Sequence, residues 1–194
     1  LKTSPMLDIQ QAVKQLHHVS EIWVISVAND CKEVVYKLQS DAGTDPLVRT
    51  WNWSDQKWQY YEGRTIKDQH PPLGNPLQYL YEPNTSVFKA GLQDQLSVKF
   101  NIKKLHPNCH LYSSDQFYAD YPGRVFKIQK ILKPWDREIK GGRFNVISRN
   151  FYENAAIIER KMKLKPAGED FLIASKLSDK RSVFIITKLL SSTD

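Results

Sequence analysis

The segment His70-Pro71-Pro72-Leu73-Gly74-Asn75-Pro76 constrains this chain more than any other stretch. Its prolines lack the amide hydrogen that a helix or a central strand needs, so neither can run through it. The best domain boundary therefore lies between Gly63 and Pro76. The 194 residues suffice for one large or two small domains. Two are expected, residues 1–68 and 77–190, joined by a linker at 69–76.

In the first part, Asp8 can cap a helix whose apolar residues Ile9, Ala12, Val13 and Leu16 recur at helical spacing, ending near His17 and His18. The run Glu21 to Val27 is too continuously apolar for a half-exposed strand and is expected to be central, with both faces covered. Asn29 or Asp30 is expected to cap a second short helix, Cys31 to Leu38, which the polar segment Ser40 to Pro46 ends. Leu47–Trp53 and Lys57–Tyr61 then read as a hairpin around Ser54-Asp55-Gln56. Trp51, Trp53 and Trp58 could stack on bases, against the commoner role of cross-strand packing. The order extended stub (Leu1 to Pro5), helix, strand, helix reads as the tail of a nucleotide-type α/β domain entered part-way. No glycine-rich strand-to-helix turn accompanies it, so no cofactor-binding or catalytic residue is assigned.

The second part opens at Tyr79-Leu80-Tyr81-Glu82-Pro83. Thr85 is expected to cap a helix bearing Phe88, Leu92, Leu96 and Phe100. Gly91 inside it would cost about 1 kcal/mol against alanine, and close approach of a neighbour would explain it. His106 and His110 have helical spacing, but Pro107 forbids the helix that would align them, so a loop leading to a strand at Leu111-Tyr112 is expected. Tyr121-Pro122-Gly123-Arg124 suits a type II turn, and Val125–Leu132 a strand with charges on alternate positions. The last third reads as a strand at Phe144–Arg149, a helix at Asn154–Leu164 with Ala155, Ile158 and Met162 inward, and a hairpin of Phe171–Lys176 and Ser182–Leu189 around Asp179-Lys180-Arg181. That β-α-β-β order is a ferredoxin-like half. The fold class is α+β, with an α/β N-terminal piece.

An excess of 28 Lys and Arg over 21 Asp and Glu gives a net charge of +7, which favours polyanionic partners. The basic residues concentrate after Lys99. Lys103, Lys104, Lys127, Lys130, Lys133, Lys140 and Arg143 are the candidate RNA contacts, with a merely solvated face as the bland alternative. Cys31 and Cys109 have no CxxC spacing, so neither a zinc site nor a disulfide follows. Apolar runs such as Ile22–Val27 and Val183–Ile186 are too short to cross a bilayer and no signal-peptide pattern opens the chain, so a cytoplasmic protein without membrane partners is expected. His110, Ser113 and Asp115 crowd together, but without a nucleophile elbow they read as turn residues, not a hydrolase triad.

Tyr79 to Asn84, Lys89-Ala90-Gly91, Lys104 to Asn108, His110 to Asp115, Pro122 to Phe126 and Arg149-Asn150-Phe151 follow one another in a distinctive order. They resemble the THUMP-like domain that ends a family of proteins described as class I S-adenosylmethionine-dependent methyltransferases, known in Bacteroidetes. Lys2 to Asp8 and Asn29 to Glu33 resemble the ferredoxin-like piece preceding it in that family. The chain departs from the family at Asn150-Phe151-Tyr152-Glu153, where relatives read Asn-Phe-Pro-Leu. The resemblance implies the C-terminal substrate-recognition region of a methyltransferase acting on RNA. It places S-adenosylmethionine in an N-terminal methyltransferase core of the same polypeptide, with no cofactor and no catalysis in this segment. A stand-alone nucleic-acid-binding module is the alternative.

Overall fold

The computed structural model describes residues 1–64 and 70–190. Residues 65–69, which hold the expected end of the first domain and the first linker residue, lie outside the described residues. The protein is mixed α+β, with one five-stranded and one seven-stranded sheet. It divides into two compact units that interleave in sequence. The first is Leu1–His70, Pro83–Phe100 and Asp120–Gly123; the second is Pro71–Glu82, Asn101–Ala119 and Arg124–Asp194. A single break at 69–76 therefore does not describe the division, because the helical stretch after Pro83 belongs with the first unit.

That unit contains β1 (Lys2–Thr3), α1 (Ile9–Gln15), β2 (Val19–Val27), β3 (Asp30–Leu38), β4 (Leu47–Ser54) and β5 (Lys57–Arg64). Its sheet order is β1-β3-β2-β4-β5, with β2 central, antiparallel to β3 and parallel to β4. Asp8 caps α1 as expected, accepting from the Gln11 amide at 2.9 Å. The helix expected over Cys31 to Leu38 is instead strand β3. Ala28 and Asn29 both take left-handed φ, 50° and 61°, which is what a two-residue hairpin turn requires. Beyond the turn, Val34 and Tyr36 are buried at the period of a strand. Asn29 caps no helix of its own: its side-chain and main-chain oxygens accept from the Thr85 amide and hydroxyl at 2.7 and 2.6 Å.

The chain then passes through β6 (Tyr79–Pro83) into α2 (Thr85–Ala90) and α3 (Gln93–Lys99). These helices replace the single helix expected there. Asn84, not Thr85, is the N-cap, its Oδ1 accepting from Val87 N at 3.1 Å. Gly91 ends α2 with φ 72°, and a Cβ built on it meets nothing within 4 Å. The glycine answers a left-handed cap, not a close neighbour. α2 packs on β2, β3 and β4, covering the face formed by Ile22, Val24, Val34, Tyr36 and Val48. Trp23 and Ile25, on the other face of β2, are only half-buried, so the expectation of two covered faces is corrected to one.

The second unit adds β7 (Lys103–Lys104), β8 (Tyr112–Ser114), β9 (Gly123–Leu132), a 3-10 turn at Arg137–Ile139, β10 (Asn145–Arg149), α4 (Ala155–Met162), β11 (Asp170–Lys176) and β12 (Ser182–Leu190). Its sheet order is β10-β11-β12-β9-β6-β8-β7. The expected β-α-β-β half is present: β10 runs parallel to β11, which pairs antiparallel with β12. Alternate residues of β11 and β12 feed opposite sides. Ile173, Val183 and Ile185 join Leu80, Phe126 and Ile147 in one core, while Leu172, Ala174 and Phe184 pack with Ile158 and Met162 of α4 in another. Leu80 on β6 and Ile147 on β10 share a core although three strands separate them in the order, so the sheet curls around that core.

Two smaller expectations are also corrected. The Gly123 amide donates to Tyr121 O at 2.8 Å, closing a three-residue turn around Pro122 in place of a type II turn. The proline-rich stretch is not a free linker: Lys104 N donates to Pro72 O and Gly74 N to Lys104 O, at 2.8 and 2.9 Å, so it lies along β7 at the sheet edge. Edge pairing tolerates prolines where central pairing does not.

Candidate nucleic-acid interface

The seven basic residues singled out in the sequence all fall in the second unit, but the fold treats them differently. Lys104 is only 6% exposed, with its ammonium 5.9 Å from the centre of the Tyr112 ring. Lys130 is neutralised by Glu138, which it reaches at 2.6 Å. Lys104 is thus withdrawn from solvent, and Lys130 already has a carboxylate partner. Lys103, Lys127, Lys133, Lys140 and Arg143 are exposed and form no ion pair among the described residues. Lys140 and Arg143 flank Gly141-Gly142, a turn held by the Gly141 amide on Met162 O at 2.8 Å.

The charges on β9 do not simply alternate. The β9–β12 register slips between Ile186 and Thr187, so Lys127 stands opposite Lys188 and Lys130 opposite Ile186. Strict alternation would separate positions 127 and 130; the bulge puts both on the α4 side of the sheet.

The tryptophans of the first unit form a different surface. Trp51 and Tyr60 pair across β4 and β5 with ring centres 5.1 Å apart, and Trp53 and Trp58 at 5.2 Å. Cross-strand packing is therefore present, yet Trp58 and Tyr60 remain 54% and 45% exposed. With Trp23, Ile25 and Arg49 they line a shallow groove of about 570 Å³. The charges on this face are matched. Glu21 accepts from Lys37 at 2.9 Å and Arg49 at 2.6 Å, Arg49 also reaches Glu62 at 3.2 Å, and Lys2 pairs with Glu33 at 2.5 Å. The hydrogen bond from Lys37, then that from the Trp23 indole, holds the Glu21 carboxyl below its ordinary value. Burial, reinforced by the bond to Glu62, pushes the Tyr60 hydroxyl up to about 12. The face is apolar and internally neutral.

Sequence reasoning missed one cluster altogether. Glu82, at the end of β6, has a carboxylate side chain only 4% exposed, and both its oxygens are taken by arginines. Arg124 donates to Oε2 through Nε at 3.0 Å and also through Nη2; Arg149 donates to Oε1 through Nε at 2.8 Å. A carboxylate directly before a proline in an otherwise apolar strand was the available signal.

The remaining candidates dissolve into structure. His106 Nδ1 accepts from Asn108 N at 3.0 Å, which fixes the loop, and no group of metal-binding residues occurs among the described residues. Ser113 donates to Tyr79 O and accepts from Leu77 N, both at 2.7 Å, while Asp115 accepts from Gln78 N. They secure the start of β6 beside β8. Burial pushes the thiols of Cys31 and Cys109 up, away from nucleophilic character. No helix among the described residues is long and apolar enough to cross a membrane.

A family model for a ferredoxin-like domain matches residues 79–122, which carry β6, α2, α3, β7 and β8. The ferredoxin-like match thus falls beyond residues 1–68, where the resemblance had placed that piece. No curated protein matches the chain. A crystal structure described as a putative methyltransferase from Porphyromonas gingivalis W83 is similar at a TM-score of 0.87 and 24% identity, over 96% of this chain and 50% of that one. The two share a fold, and this chain spans half the length of that protein.

Proposed function

We propose that this chain is the substrate-recognition region of an S-adenosylmethionine-dependent methyltransferase acting on RNA, with a THUMP-like second unit. The cofactor is held by a class I methyltransferase core elsewhere in the same polypeptide. The observation that carries this reading is the fold shared, over 96% of this chain, with half of a protein described as a methyltransferase.

RNA is favoured by the unpaired cations Lys103, Lys127, Lys133, Lys140 and Arg143, which raise the local potential without a matching acidic set. They act by neutralising backbone phosphates, which positions a substrate without reading its sequence. Fluorescence anisotropy of the 194-residue chain with single-stranded RNA tests this reading. Affinity should fall with salt at a log–log slope of about −0.7 per phosphate contacted. Charge reversal of Lys127, Lys133 and Arg143 together should weaken binding and flatten that slope. Equal binding by the variant, or no binding by either protein at low salt, would remove RNA from the assignment.

A further inference from the structure

Three of the segments that carry the family resemblance, Tyr79 to Asn84, Pro122 to Phe126 and Arg149 to Phe151, converge on the Glu82, Arg124 and Arg149 cluster, for which recognition through surface lysines has no use. One carboxylate balances one guanidinium, so the cluster holds a surplus positive charge. Both arginines are fixed. Arg124 lies 5.4 Å from the Phe126 ring centre and 5.8 Å from that of Phe171, and Arg149 donates through Nη1 to Ser148 O at 3.1 Å. Their outer edges stay in reach of solvent, the side chains being 34% and 46% exposed. Arg124 Nη1 and Arg149 Nη2 have no acceptor among the described residues.

We propose that Arg124 and Arg149, oriented by the buried Glu82 carboxylate, form a binding site for a phosphate group. Guanidinium forks suit such a ligand because their parallel N–H donors match its oxygens, and donors already held in place lose less freedom on binding. A purely structural clasp is the competing role, since the same contacts tie β6 to β9 and β10. A clasp would spend its donors inside the protein; here Nη groups of both arginines are left over. The proposal deepens the RNA reading in supplying a phosphate contact, but it does not depend on RNA, because a free phosphate would meet the same donors.

Nitrogen-labelled protein titrated with inorganic phosphate at low salt, while the arginine Nε–Hε resonances are followed, tests the site. Saturable shifts of the Arg124 and Arg149 signals are expected. Arg149→Gln should weaken phosphate binding roughly tenfold or more, the loss of a charge-assisted donor set. It leaves Glu82 paired with Arg124, so the variant should fold. Arg124→Lys, which keeps the charge but loses the fork, should also weaken it. A second titration with single-stranded RNA separates the ligand sources: shifts at both arginines that compete with phosphate identify a backbone phosphate, whereas phosphate shifts without RNA shifts identify a free one. Arginine signals unmoved by phosphate, or wild type and Arg149→Gln titrating alike, would overturn the site. RNA binding through the exposed lysines could persist in that case, so the two readings fail separately.

Discussion

The two sheets solve the problem of surface charge in opposite ways. On the open face of the first, every carboxylate meets a cation: Glu21 with Lys37 and Arg49, Glu62 with Arg49, Glu33 with Lys2. What is left exposed is aromatic. In the second, one buried carboxylate serves two arginines, and five cations among the candidates have no ionic partner. Aromatic rings alone would suggest a base-stacking platform on the first sheet, but a polyanion is drawn by unbalanced charge, and the unbalanced charge lies in the second unit. Counting lysines in the sequence places the basic excess after Lys99; only pairing separates the free cations from the neutralised ones.

The comparison breaks most sharply at the carboxylates. Glu82→Ala should destabilise the second unit by about 2–3 kcal/mol. That is somewhat less than a wholly buried pair would lose, because the stranded arginines still reach water. Glu33→Ala on the first sheet removes an exposed pair and should cost about 0.5 kcal/mol or less. Chemical denaturation measures both, and equal losses would mean that burial does not separate the two networks.

Nucleic-acid binding sharpens the same contrast. Charge reversal of Lys127, Lys133 and Arg143 should lower RNA affinity roughly tenfold or more at low salt, while Trp58→Ser should leave it within about twofold. A larger loss from the tryptophan would move the interface to the first sheet. Smaller again is Gly91→Ala, which forces a Cβ into a left-handed cap and should cost the first unit about 1 kcal/mol, read as a lowered Tm.

A pH titration addresses the paired carboxylates of the first sheet. The Glu21 carboxyl is held low chiefly by Lys37 and then Trp23, and that of Glu62 chiefly by Tyr60. A depressed folded-state pKa contributes stability above the ordinary carboxylate value, about 4.3, and that contribution is lost as pH falls through the lower folded value. Because the Trp23 indole donates to Glu21 at 3.1 Å, indole fluorescence should change over that acidic range and the change should shrink in Glu21→Gln.

Local elements were legible where a short polar turn separated β-rich runs. The hairpins around Asp55-Gln56 and Asp179-Lys180-Arg181 and the final β-α-β-β order all stand. Cys31 to Leu38 misled because Asn29 serves equally as helix cap or left-handed turn residue, and only pairing with β2 decides between them. Gly91 misled for a related reason. Phe88, Leu92, Leu96 and Phe100 kept helical spacing across a break, so the glycine read as an interior residue when it is a cap. For the site, charge was legible and partnership was not. Lys130 is neutralised from eight residues away, and Glu82 gathers arginines 42 and 67 residues distant. Such pairings arise from strand order and sheet curl, which no local pattern encodes.

The central claim, that unbalanced charge in the second unit and not the aromatic face of the first meets RNA, is tested most directly by one titration. Labelled protein is mixed with increasing single-stranded RNA while the indole signals of Trp23, Trp51, Trp53 and Trp58 are followed beside the backbone amides of Lys127, Lys133 and Arg143. The account predicts salt-sensitive shifts at the basic positions with the four indoles unmoved. Indole shifts that saturate with RNA, with the basic positions unchanged, would contradict it.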